Sequence, residues 1–554
     1  MPNEPALVAW AAEPHHRTRL QGSTQTDAAI ERSISSLYDT PMPRIRVRAE
    51  NIWTADEARP LARSLVVDNA RIETLDSGSA DHDLDGGPWV GPAFIDSHLH
   101  LTLGGLSLTE TNLSHAGSRE QFSEAIAAAH QTLQPGRWLK AHGWDQTRWG
   151  GGMPHADWFG PLADRPAIAW RMDQHACVLN RAALRLVATR FDLRENPPGG
   201  RVERDATGAP TGLFLEQAAW QWAKSCVPES TVQERREGVR AASRALAAHG
   251  IATVGTMDYA RDLAEAIDPL RRELPLRIRA TLLDREWPLD WNLANCIQSD
   301  DALAIIGFKS FIDGTLGSRT ARMLEPYTDD PSNFGMLVEL AERGVLQQWL
   351  DEGVRRGFTM SMHAIGDAAL RVALDAADAV ELRRPTSRAE IRFEHAQTIH
   401  PADLHRMKGR WASMQPLHKF FDAATLPIAL GADRSDRFFA FRSIAAAGGM
   451  LAFGSDWPIV PPDVLAGMRT AITSLDAGND PCQPQENLSP DSALRAYTID
   501  AARCLRCDNR TGRLAPGLSA DLVSLDRDPF RCNWVTHPPK VRWCMHGGEL
   551  SYAT

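Results

Sequence analysis

Two histidines one residue apart, His98 and His100 in "GPAFIDSHLHL" (residues 91–101), are the first residues in the chain whose spacing suggests chemistry. Side chains at i and i+2 of a β-strand point to one face, so two imidazoles would stand together at the end of the strand that begins at "AFI". Alone, such a pair fits an ordinary strand as well as half of a metal site. Three later residues bear on the choice: His363 ends the apolar run "FTMSMH", His395 ends "IRFEH" and Asp456 ends "LAFGSD". Buried imidazoles and a carboxylate gathered at strand ends are costly unless paired or bound to a cation. Each could be a hydrogen-bonded core residue; the set points to a metal centre.

Lys309, in "GFKSFIDGT", also ends an apolar run. An ammonium beside divalent cations would be repelled. Two roles stay open for it on residue type alone. It could reach solvent, or it could be carboxylated by CO2, giving an anionic carbamate with two oxygens able to bridge two metals.

These residues need elements that bring their strand ends together. Apolar strand-like runs, "IATVGTM", "LAIIGFKSFI", "FTMSMHA", "IRFEHAQ", "RWASMQP" and "MLAFGSD", alternate with stretches of helical period. Examples are "QERREGVRAASRALAAHG", "LAERGVLQQWLDEGVRRG" and "GDAALRVALDAADAVELRR". Strands apolar on both faces alternating with helices predict a parallel α/β fold, and at least six units favour a (β/α)8 barrel, whose active sites lie at the C-terminal ends of the strands. "RIRVRAENIW" (44–53), the hairpin-like "ARSLVVDNARIETLD" with a turn near Asp68-Asn69, and "ADLVSLD" and "KVRWCMHGGEL" at the other end predict a small β domain from both termini. The expected division is an N-terminal extension over 1–42, a composite β-sandwich from 43–91 and 511–554, and a barrel over 92–510. About 200 residues separate His100 from Lys309, more than βαβ units need. The Trp-, Pro- and Gly-rich stretch near 130–225 is expected to be an insertion over the barrel mouth, with long surface loops as the alternative.

Composition narrows the partners. A net charge of −10, mixed in sign along 554 residues, offers no clustered basic face for nucleic acid or an anionic membrane. No stretch approaches the ~20 apolar residues that span a bilayer, and "ALVAWAA" near the start lacks the positive flank of a signal peptide, so a cytoplasmic protein is expected. Eight scattered cysteines fit reduced thiols; Cys504 and Cys507 form a CxxC without a second pair downstream.

The blocks "GPAFIDSHLHL", "FKSFIDGTLGSRTA", "MHAIGDAAL", "RFEHAQTIHPADL", "ASMQPLH", "MLAFGSDWPI", "LSPDSALRAYTIDAA" and "GRLAPGLSADLVSLDRDPF" occur in the order seen in the amidohydrolase superfamily. From about residue 43 to 550 the chain resembles that superfamily, close to its amidohydrolase-3 branch. The resemblance implies a (β/α)8 barrel with a composite β-sandwich and a binuclear centre of divalent ions, usually Zn2+. Carried over by motif, His98, His100 and Asp456 hold one ion, His363 and His395 the other, and carboxylated Lys309 bridges both. It further implies hydrolysis of a C–N bond, amide or N-substituted formamide in type, of a small non-peptide molecule by a metal-bridging hydroxide, with Asp456 as the proton shuttle. Ester, lactone or carbamate hydrolysis or decarboxylation on the same site is the alternative, and a catalytically silent scaffold a more remote one. A homodimer is plausible for the superfamily. His175, Arg319 and His418 are candidate substrate contacts. Asp313 and Gly314 are expected to shape the loop after Lys309, and Phe308, Phe311 and Trp457 to line an apolar pocket or pack in the core. The sequence departs from the family where Asp173-Gln174-His175 replaces the usual Asp-Gly-His, which puts the substrate pocket in doubt, and at the turn "DNARIETLD".

Overall fold

Eight parallel strands pair in chain order: β1 (Phe94–Leu99), β2 (Ile251–Asp258), β3 (Arg277–Leu282), β4 (Leu303–Phe311), β5 (Thr359–Ala364), β6 (Ile391–His395), β7 (Trp411–Met414) and β8 (Met450–Phe453). The computed structural model describes residues 43–160, 162, 164–385, 390–423 and 425–554; the expected extension over 1–42 lies outside the described residues. All residues of β1, β2, β3, β5, β6 and β7 are buried, which is why apolar residues dominate most of these runs in the sequence. β3 escapes that pattern because Arg277 and Arg279 interrupt it. Arg277 is nonetheless buried, its charge met by Asp521 at 2.5 Å from the C-terminal strands.

The barrel closes past the end of β8 rather than along it. Asp456 N–H donates to the His98 carbonyl (2.6 Å), and His100 N–H donates to the Trp457 carbonyl (2.8 Å). The Asp96 carboxylate, pushed up to about 6 by burial, accepts from the N–H groups of His98 (3.1 Å) and Ser455 (3.0 Å), fastening both sides of the seam. The approach is so close that a Cβ at Gly454 would lie 2.5 Å from His98 N and 2.7 Å from Asp96 Oδ1. Only glycine fits there.

Helices cover the strands. Val232–Ala248 starts with a Thr231–Glu234 capping box, and Asp367–Arg383 follows β5. The stretch read as a single helix before β5 is two, Glu339–Glu342 and Leu346–Arg355, separated where Gly344 takes φ +70°.

The region around 130–225 is a folded layer, not a set of loops. Its strands run Gly200–Arg204, Pro210–Glu216, Ala176–Leu179, Ala167–Arg171, Leu139–Trp144 and Thr111–Asn112 across one sheet, over an apolar cluster that includes Phe122, Trp144 and Phe159. A third sheet joins both ends of the chain, Trp89–Pro92 pairing antiparallel with Leu522–Leu525. Its hairpin between Leu61–Asp68 and Arg71–Leu75 turns through Asn69 and Ala70, both left-handed (φ 44° and 67°), as a two-residue turn requires. All eight cysteines are free, with Cys504 and Cys507 buried. Among the described residues no helix is long and apolar enough to cross a membrane.

Candidate metal centre

The C-terminal ends of β1, β4, β5, β6 and β8 converge, as barrel geometry demands, and bring together His98, His100, Lys309, His363, His395 and Asp456. His395 ends β6 with φ 69° and Asp456 follows β8 with φ 60°, left-handed conformations unusual outside glycine and typical of functional sites. A cavity of about 1400 Å3 opens on this point, and the inserted sheet supplies one wall through His142, Trp170, Arg171 and His175.

The hydrogen bonds around the four histidines decide which ring nitrogen of each is bare. His98 Nδ1 lies 2.6 Å from Glu394 Oε2, His100 Nδ1 2.9 Å from the Met257 carbonyl, and His395 Nδ1 2.8 Å from Gln415 Oε1. Gln415 spends its amide nitrogen on the Ser413 carbonyl (3.2 Å), so its oxygen faces His395. Each acceptor draws the proton to Nδ1 and leaves Nε2 with its lone pair. His363 is reversed: Nε2 donates to the Gly314 carbonyl at 3.2 Å, and Nδ1 is buried with no partner among the described residues.

Asp456 Oδ1 sits 3.3 Å from His98 Nε2 and 3.1 Å from His100 Nε2, and ligand atoms of His98, His395 and Asp456 all lie within 4.8 Å of one another. Lone pairs crowded against a carboxylate repel unless a cation lies among them. Burial lowers the pKa of His100, His363 and His395, keeping these imidazoles neutral and able to ligate. For Asp456 burial opposes the charge, and positive charge beside it, first of all at His98, holds the carboxyl well below the usual range; with the rings neutral that part falls to a cation. The donor set, neutral imidazole with carboxylate, suits zinc and its neighbours.

Lys309 is 1% exposed, with Nζ 3.0 Å from His98 Nε2 and over the Phe311 ring at 4.6 Å. Burial lowers its pKa to about 8. As an unmodified amine it can donate to His98; a carbamate there would instead add oxygen ligands.

The candidate substrate contacts separate. His175 lines the cavity, with Nδ1 2.8 Å from Glu216 Oε2 and its ring 5.3 Å from that of His363. Burial disfavours its charge, but Glu216 raises its pKa overall. His418 lines the cavity as well, Nε2 lying 3.8 Å from Asp456 Oδ2. Arg319 is engaged elsewhere, paired with Asp329 at 2.6 Å and set over the Tyr327 ring, and is not among the residues that line the cavity. Phe311 faces the cavity against His363 (4.8 Å), whereas Phe308 packs with Trp291 and Phe358, and Trp457 is buried against Gly104. Asp313 organises the loop after Lys309 by accepting from the N–H groups of Arg322, Ile365 and Gly366. A Cβ at Gly314 would come within 2.2 Å of Glu216 Oε1 and Thr320 Oγ1, so the glycine lets that loop meet the inserted sheet.

In the divergent triplet, Gln174 has φ 60°, the conformation that favours glycine, so the exchange keeps the backbone path at some strain. Asp173 fastens that turn to the loop after Lys309 by accepting from Thr315 Oγ1 (2.5 Å) and Ser318 Oγ (3.1 Å), and pairs with Arg171 of its own sheet (2.5 Å). Sequence reasoning passed over Glu394 and Gln415, the acceptors that orient His98 and His395. Glu394 stood beside His395 in "RFEH", and a carboxylate in a run that is otherwise buried was the available signal; Gln415 carried none.

The amidohydrolase family model matches residues 83–550. Protein LONG AFTER FAR-RED 3 of Arabidopsis thaliana is 33% identical over 508 residues, covering 86% of each chain. The N-substituted formamide deformylase of Arthrobacter pascens is 25% identical over 538 residues, 89% of this chain and 95% of that one. Among solved structures, an uncharacterized metal-dependent hydrolase from Pyrococcus horikoshii OT3 superposes with a TM-score of 0.70 at 26% identity, over 89% of this chain and 99% of the other.

Proposed function

Because this chain belongs to the amidohydrolase family, we propose that it is a metal-dependent hydrolase that cuts a C–N bond, amide or N-substituted formamide in type, in a small non-peptide substrate. One observation carries the proposal: four histidines gathered at the barrel mouth each give one ring proton to an outer acceptor and keep the other nitrogen bare, and in His98 and His100 that nitrogen lies 3.3 and 3.1 Å from Asp456 Oδ1. The likeness to a formamide deformylase supports the bond type. On this reading His98, His100 and Asp456 hold one divalent ion, His363 and His395 a second, and carboxylated Lys309 bridges them, with zinc the expected metal. The barrel spans 92–510 with its insertion near 130–225, and a composite β-sandwich forms from 43–91 and 511–554.

When bound, the ions supply Lewis acidity, which acidifies water and polarises a carbonyl oxygen. The chain's own groups do the rest. Lys309, brought to about 8 by burial, holds a fraction of neutral amine near pH 7, the form that adds to CO2. Asp456, ionised at the seam between β8 and β1, takes a proton from the attacking water and passes it to the leaving amine. Glu394 keeps the proton of His98 on Nδ1. His175 and His418 face the substrate from the cavity walls.

The test is a hydrolysis screen of N-substituted formamides, acylated amines and lactones with zinc- and bicarbonate-supplemented protein, alongside metal analysis. Amine release with close to two zinc ions per chain is the expected result. Turnover of lactones alone would replace the C–N assignment, and protein that takes up no metal would overturn the proposal.

A further inference from the structure

Each of the four candidate ligand histidines keeps one ring nitrogen bare; His418 presents an N–H. His418 lies in the short helix Pro416–Asp422 that follows β7 and is 6% exposed. Its Nδ1 faces Gln397 Nε2 at 3.3 Å. An amide nitrogen only donates, so Nδ1 accepts and the hydrogen of the neutral ring sits on Nε2. That amide orientation is favoured wherever Asp422 is ionised, because the same Gln397 nitrogen faces Asp422 Oδ2 at 3.5 Å and a flip would set oxygen against carboxylate; burial pushes Asp422 up to about 7, so the orientation is firmest above that pH. Nε2 itself is buried and makes no well-formed hydrogen bond among the described residues: Asp456 Oδ2 is too distant at 3.8 Å, and the Ser455 carbonyl is a weak acceptor beside the ring. A buried donor so weakly engaged beside the candidate ligands is poised for an oxygen that arrives with the substrate.

We infer that His418 donates from Nε2 to the substrate carbonyl oxygen as that oxygen gains negative charge, with Gln397 and Asp422 as positioning residues that hold the required tautomer. The inference rests on the hydrolase reading above and adds to it the group that stabilises the oxyanion. Such donors act on charge that develops during reaction rather than on the bound substrate.

The test uses full-length zinc-loaded protein and methylphosphonate, a tetrahedral oxyanion that needs no turnover. Ring 15N NMR of the wild type is expected to show His418 with its hydrogen on Nε2, and Gln397→Leu to lose that single tautomer. Calorimetry is expected to show methylphosphonate bound about tenfold or more weakly by His418→Leu and Gln397→Leu, and held largely by His418→Gln, which keeps an N–H. Zinc content equal to wild type serves as the check on folding. Unchanged affinity in a zinc-loaded His418→Leu overturns the inference alone, and so does a wild-type hydrogen on Nδ1, which decides even if the leucine variants do not fold. Wild-type protein that binds no zinc removes the hydrolase reading, and the inference falls with it.

Discussion

Replacing Glu394 with glutamine tests whether a charge, rather than a shape, holds the metal site together. Glu394 is fully buried, with Oε2 2.6 Å from His98 Nδ1 and Oε1 3.0 Å from Arg392 Nε. The amide keeps the volume and an acceptor for His98, but Arg392 becomes a buried cation without its counterion. Burial opposes ionisation of Glu394; Arg392 and His98 prevail and hold it at about 2 instead of 4.5. At about 1.4 kcal/mol per pKa unit, that displacement corresponds to ~3 kcal/mol, within the range measured when one partner of a buried pair is removed. The metal-free variant should therefore lose about 3 kcal/mol of unfolding free energy at pH 7, read by urea denaturation after chelation. Because the folded pKa is depressed, the wild-type advantage is fully present above 4.5 and closes as pH falls from there toward about 2. Zinc affinity, measured by competition with a chelating dye, should drop about 10–100-fold, since His98 loses the carboxylate that makes Nε2 more basic. A loss under ~1 kcal/mol together with unchanged zinc affinity would refute the role given to the charge.

Other outcomes follow from the same geometry. Asp456→Asn should stay folded and metal-loaded while kcat falls about 10^2–10^4-fold; near-normal turnover would end its role as proton shuttle. Gly454→Ala should cost about 3 kcal/mol or more, or yield insoluble protein, because the new Cβ would meet His98 N at 2.5 Å; an unchanged melting temperature would show that the seam can yield. Chelated protein should regain activity with zinc plus bicarbonate, and Lys309→Ala should not, with metal content and intact mass read in parallel. Burial pushes the thiols of Cys504 and Cys544 up to about 12 and that of Cys507 to about 11. Iodoacetamide at pH 8 should leave these three unmodified in the folded protein, and labelling of them under native conditions would contradict their burial.

Most of the barrel was legible because strands buried on both faces write themselves as apolar runs, and each proposed ligand punctuates the end of one. β3 was not, since a run broken by Arg277 and Arg279 looks like surface until Asp521, 244 residues away, is seen to neutralise Arg277. The inserted sheet was visible only as an excess of residues, because its strands are short and pack on a core of their own. At the site, residue types on strand ends identified the ligands, but the groups that orient them could not be found that way. Glu394 reaches His98 from β6 across the barrel to β1, Gln415 reaches His395 from the end of the neighbouring β7, and nothing local in the sequence encodes that reach. Arg319 was singled out for its charge, which the fold directs to Asp329 ten positions downstream.

The seam where the barrel closes has a consequence for biosynthesis. Asp456 meets His98 and His100 only where the segment after β8 is stitched to β1, so one cluster of candidate ligands joins the first part of the barrel to be made with the last. A nascent chain that has just incorporated His98 must still add more than 350 residues before the carboxylate exists. On the proposed ligand set, a metal ion held by both His98 and Asp456 therefore waits until most of the barrel has been made. A chain truncated before Asp456 cannot make the contacts that close the circle.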